Sequence, residues 1–196
     1  MESQLEELIH RFTKKGYAGL QNKIALTWIR YNKPNPDQLT GYGASWAGEK
    51  MIYPASVVKL FYAIAFEAWL QEDIFQEEIE MRNALNKMIQ DSSNDATSLI
   101  VDLLTGTTSG PSISGEAWAK WKIQRQLIND WLQSLNWREL DGINCCQKTW
   151  NDEPFGRERD FYGLGNNNRN SLSTSATARM LEAIMTQSII SPPACK

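Results

Sequence analysis

The stretch YPASVVKLF, Tyr53 to Phe61, places one serine, Ser56, and one lysine, Lys59, in an otherwise apolar run. Burying a lysine costs free energy unless something compensates for it. Pro54 suits a helix start, and a spacing of three puts Ser56 and Lys59 on one face of the helix it opens. Ser56 then lies near the helix N-terminus, where unpaired N–H groups can stabilise a developing oxyanion. A serine hydroxyl is a weak nucleophile and needs a base. Lysine is normally protonated, but burial and a positive helix end both favour its neutral form. A pKa drop toward ~7 makes it a competent base. The alternative is structural: Ser56 caps the helix and Lys59 runs along apolar surface to water.

What surrounds this stretch narrows the choice. The chain has 196 residues, 42% hydrophobic and 22% charged, which is ordinary for a globular domain with one sizeable core. Its net charge of -3 gives no electrostatic footprint for nucleic acid. The longest apolar run, Leu60 to Leu70, contains Glu67 and falls far short of the roughly 20 residues of a membrane span. The N-terminus, MESQLEELIHRF, is acidic where a signal peptide is basic. As written the chain reads as cytoplasmic; a trimmed chain would be periplasmic. The single histidine, His10, makes a histidine-rich zinc site implausible and leaves a Ser-His-Asp triad dependent on that residue alone. His10 falls on the polar face of a helix, so Ser56 must find another base, and no metal or cofactor is implied. The three cysteines are an odd count, and Cys145 and Cys146 are adjacent. They read as small half-buried residues, with a redox pair as the alternative.

Periodicity predicts a helix over residues 2–15, a strand over Lys23–Tyr31, a turn at Asn32–Asp37 and a second strand near Tyr42–Trp46. Helices follow over 55–70, 79–90 and Ala96–Leu104. Trp118, Trp121, Leu127, Ile128, Trp131, Leu132 and Leu135 recur at helical spacing and predict one long helix. Asp141 to Asn170 has no clear period, and a loop of that length is often functional. Thr174–Met185 is predicted as the last helix. Most of the eight tryptophans sit at helical spacing, which favours packing over a carbohydrate-binding surface.

A second polar cluster, Ser92-Ser93-Asn94, falls at the end of a predicted helix. It offers a hydroxyl to relay a proton and an amide to hold a substrate amide; the structural alternative is a set of polar caps. In order, Ser56-Val57-Val58-Lys59 and Ser92-Ser93-Asn94 resemble the S-x-x-K and S-D-N motifs of the class A β-lactamases and penicillin-binding proteins, with serine in place of the middle aspartate. The N-terminal helix, the strand IALTWIRY and the helix RNSLSTSATARMLEAI are similar in context, so the resemblance runs from about residue 2 to 196.

The resemblance implies an α/β (α+β) β-lactamase-like fold. Residues 1–50 and 171–196 would form part of an incomplete antiparallel sheet subdomain, and 51–170 a helical subdomain with an omega-like loop. It implies that Ser56 is the acylated nucleophile, Lys59 its base, Ser92 a proton relay to the leaving nitrogen, and Asn94 a ligand of the substrate amide. The substrate would be a small β-lactam or a peptidoglycan-like amide or ester. Three departures accompany it. No K-[ST]-G follows; Lys148-Thr149-Trp150 mimics it but precedes the loop and carries a bulky Trp. The chain stops at SPPACK where the family continues with further strands, so truncation is expected. Glu153-Pro154 resembles the family's water-activating Glu-Pro, but the following Leu-Asn is missing. Glu158 is a weaker candidate for that role, and both glutamates read equally as charges of a solvated loop. The alternatives are a D-Ala-D-Ala peptidase or esterase that binds penicillin, and a non-catalytic fragment or pseudoenzyme.

Overall fold

The computed structural model describes residues 2–33 and 40–195, in two compact units. One unit runs to Ile52 and resumes at Ser173; the other is Tyr53–Leu172. Of the predicted turn at Asn32–Asp37, residues 34–37 lie outside the described residues.

In the first unit, α1 (Glu2–Lys14) buries Leu5 and Ile9, one turn apart, and leaves His10 exposed. Its acids lead and its bases follow, as the helix dipole favours. Strands β1 (Leu26–Arg30) and β2 (Tyr42–Trp46) form a two-stranded antiparallel sheet, with Trp28 opposite Ala44. Gly43 is required there, because a Cβ would stand 2.1 Å from the Trp28 carbonyl oxygen. Helix α8 (Thr174–Met185) packs on β1, and α1 packs on β2.

The second unit is helical. A 3-10 turn, Ala55–Val57, leads into α2 (Val58–Gln71). Nine α2 residues are buried, Phe61, Tyr62 and Phe66 completely. Each such side chain contributes about 1.5–3 kcal/mol, so α2 is the axis of this core. Helices α3 (Ile79–Gln90), α4 (Asn94–Thr105) and α6 (Leu127–Ser134) pack around it. Trp69 of α2 meets Trp131 edge-on at 5.6 Å and donates to the Leu104 carbonyl.

The single long helix predicted around Trp118–Leu135 is two. Helix α5 (Gly115–Arg125) ends at Gln126, whose N–H bonds back to Ile123, and α6 begins at once. Trp121, Arg125, Ile128 and Leu132 stay buried across the break, so the apolar period survives it and conceals it. The unperiodic stretch 141–170 also holds structure. Asn144 bridges Ser171 in both directions, and α7 (Arg157–Tyr162) follows Gly156. Gly156 has φ 54°, and its Cβ would clash with the Gly110 carbonyl. Among the described residues no helix is long and apolar enough to cross a membrane.

Candidate active site

Ser56 and Lys59 share a face as their spacing predicts. The 3-10 turn holds Ser56 exposed, and α2 carries Lys59 inward until only 2% of it is accessible. Lys59 therefore does not run out to water. Its Nζ lies 3.2 Å from Ser56 Oγ and donates to Ser92 O at 2.5 Å, Ser92 Oγ at 3.0 Å and Asn94 Oδ1 at 2.8 Å. All four acceptors are neutral, and among the described residues no carboxylate comes within ion-pair distance of it. Burial lowers the Lys59 pKa from its usual value, because desolvation penalises the ammonium and nothing of opposite charge offsets it.

Two backbone outliers flank this cluster. Ala55 has φ 47° and Ser92 has φ 54°, a region that costs a non-glycine residue about 1–3 kcal/mol and clusters at functional sites. The first turns the chain immediately before the exposed serine. The second turns Ser92 so that both its carbonyl and its hydroxyl meet Lys59. Ser93 then caps α4, its Oγ accepting from the Ala96 N–H at 3.2 Å. Asn94 is therefore the first residue of that helix.

Thr149 and Asn151, which the sequence did not single out, complete the cluster. Thr149 Oγ1 donates to Asn94 Oδ1 at 2.8 Å, and Asn94 Nδ2 donates to Asn151 Oδ1 at 2.7 Å. The Asn94 amide is thus fixed in one orientation, with its second N–H left to meet a ligand. The loop that brings Thr149 there is pinned from inside. Tyr62 donates its hydroxyl to the Gln147 carbonyl at 2.5 Å, and Asn170 Oδ1 accepts from the Cys146 and Gln147 N–H groups at 3.1 and 2.9 Å.

Lys148, beside Thr149, points away into a buried charge network. Its Nζ donates to Asp102 Oδ2 and Ser109 Oγ, each at 2.7 Å, and lies 3.6 Å from Glu158 Oε1. Glu158 is fully buried and bonds Arg125, also fully buried, whose guanidinium lies 4.5 Å from the Trp121 ring centroid. The reading of Glu158 as a solvated loop charge is thereby corrected: α7 turns it inward to balance two buried cations. Burial raises the Asp102 pKa, against the opposing pull of Lys148 and Arg125.

The structure brings Ser56, Lys59, Ser92 and Asn94 into one hydrogen-bonded group and leaves Glu153 outside it. Glu153 is exposed and lines a cavity whose lining includes none of those four residues. Cys145 and Cys146 are completely buried rather than half-buried, and free. Burial pushes the Cys146 thiol up to about 12 and Cys145 well above its usual value, the opposite of a reactive cysteine. Among the described residues no group of three or more His, Cys, Asp or Glu side chains is placed to hold a metal.

Comparison with known proteins gave one family. No curated protein and no solved structure matched. A family model described as "Beta-lactamase enzyme family" matches residues 69–196, which takes in Ser92, Asn94 and Glu153 and begins after Lys59. With a mostly helical chain and a small antiparallel sheet in an α/β, β-lactamase-like fold, and with that match over more than half its length, the chain belongs to this β-lactamase-related serine hydrolase family.

Proposed function

We propose that this protein performs acyl transfer through Ser56, opening a β-lactam amide. Neutral Lys59 takes the Ser56 proton as Oγ attacks the carbonyl carbon. The tetrahedral oxyanion lies at the start of α2, where helix N–H groups stabilise it. Asn94 holds the side amide of the substrate with its spare N–H. Ser92 then passes the proton from Lys59 to the leaving nitrogen, and the C–N bond breaks to give the acyl-enzyme. The observation that carries this reading is the buried Lys59, free of carboxylates and bonded at once to Ser56, Ser92 and Asn94.

A fluorescent penicillin should label the wild-type chain covalently and leave Ser56→Ala unlabelled. Absence of label on folded wild-type protein would sink the proposal, and it is the result that a non-catalytic relative, without a K-[ST]-G strand, predicts.

One observation favours a second reading, a D-Ala-D-Ala peptidase or esterase that holds penicillin without turning it over. The group that meets Asn94 from the loop is the neutral Asn151, and Glu153 lines a cavity whose lining does not include Ser56. On this reading no glutamate activates water at Ser56, and the acyl-enzyme is long-lived. The rate at which label is lost separates a lactamase from this alternative.

A further inference from the structure

Glu153 shares a cavity of about 470 Å³ with Tyr53, Asp152, Arg159, Tyr162 and Arg169. Neighbouring residues of one loop thus supply two carboxylates to this space, and α7 with the segment after it supplies two guanidiniums. Among the described residues none of these four groups makes an ion pair. Arg159 and Tyr162 lie three residues apart on α7 and share a face. The Arg169 guanidinium sits 3.3 Å from the Tyr53 ring centroid, which holds the cation in place at the wall.

The charge pattern selects the ligand. An anion would gain from the guanidiniums but meet two carboxylates, and a cation would meet the reverse. A molecule with one charge of each sign at separate ends satisfies both groups. The cavity lies within the usual range for small-ligand sites of about 300–1,000 Å³, and its tyrosines suit the apolar part between two charged ends. The geometry points to a second binding site here, for a small zwitterion of the amino-acid or short-peptide class, its carboxylate on Arg159 and Arg169 and its ammonium on Asp152 and Glu153. The same loop serves both places: Asp152 faces this cavity, while Thr149 and Asn151 hold Asn94. The site does not depend on acylation at Ser56.

Titration calorimetry on the full chain with the dipeptide alanyl-alanine, its N-acetyl form and its C-terminal amide tests the assignment. The free dipeptide should bind saturably, and each blocked form should bind at least about tenfold more weakly, because each loses one charge-assisted contact. Arg159→Gln and Asp152→Asn, both at exposed positions, should weaken it to a similar degree, while Ser56→Ala should bind as wild type does. Three results overturn the assignment. They are no saturable binding up to about 10 mM, blocked dipeptides binding as tightly as the free one, or binding that survives Arg159→Gln and is lost in Ser56→Ala.

Discussion

Lys59 Nζ meets two hydroxyls, one carbonyl oxygen and one amide oxygen, and none of them carries charge. A protonated lysine in that position is stabilised by dipoles alone, so burial dominates and the pKa falls. The sign of the pH dependence follows. A lysine base is active when neutral, and a lowered pKa moves the neutral form to lower pH. Acylation of the wild-type chain should therefore rise with pH through a limb below the ordinary lysine value and level off above it. Stopped-flow labelling across pH checks this, and a limb at the ordinary value would show that the site does not shift Lys59. The pair itself was legible in YPASVVKLF, because a serine and a lysine three apart in an apolar helix have few other partners. Thr149 and Asn151 were not legible. Their role depends on a loop without periodicity being folded back against α4, and no local pattern reports that.

Two helix starts fix the geometry of the proposed site. The first, at Ala55–Val57, aims Ser56 outward and Lys59 inward; the second, capped by Ser93, sets Asn94 at the head of α4. Replacing Ser93 with alanine removes the bond to the Ala96 N–H and should cost about 1 kcal/mol, measurable as a lowered melting midpoint. Because the first turn of α4 carries Asn94, the same variant should also label more slowly with penicillin. An unchanged midpoint would show that the cap contributes nothing. Most elements followed from periodicity, and α8 runs over the residues its pattern predicts, Thr174–Met185. The break at Gln126 did not, since Trp121, Arg125, Ile128 and Leu132 keep a helical repeat through it. Helix α7 escaped notice because its six residues are too few to show a period, and its buried face includes a glutamate.

At the scale of the whole molecule, the least expected feature is the set of buried Arg125, Glu158 and Lys148 with the half-buried Asp102, drawn from α5, α7, a loop and α4. Removing one charge from such a set leaves another uncompensated in the interior. Glu158→Gln keeps the shape but leaves Arg125 with only Asp102, 3.9 Å away. It should lower stability by about 3 kcal/mol, seen as a reduced urea midpoint with an unchanged slope. It should also slow acylation, because Lys148 anchors the loop that carries Thr149. A loss within about 0.5 kcal/mol, the range of an ordinary surface change, would show that the network does not hold the loop. By itself the sequence determined the helical character of Tyr53–Leu172, the strand pair and the serine–lysine face, because each depends on side chains close together along the chain. Only the tertiary structure decided that Glu158 is an internal counterion, that Glu153 shares a cavity with Arg159 and Arg169, and that Thr149 and Asn151 orient Asn94. Those outcomes are set by contacts between residues some 30 to 60 positions apart, where burial and charge pairing in three dimensions override what a neighbour in sequence implies.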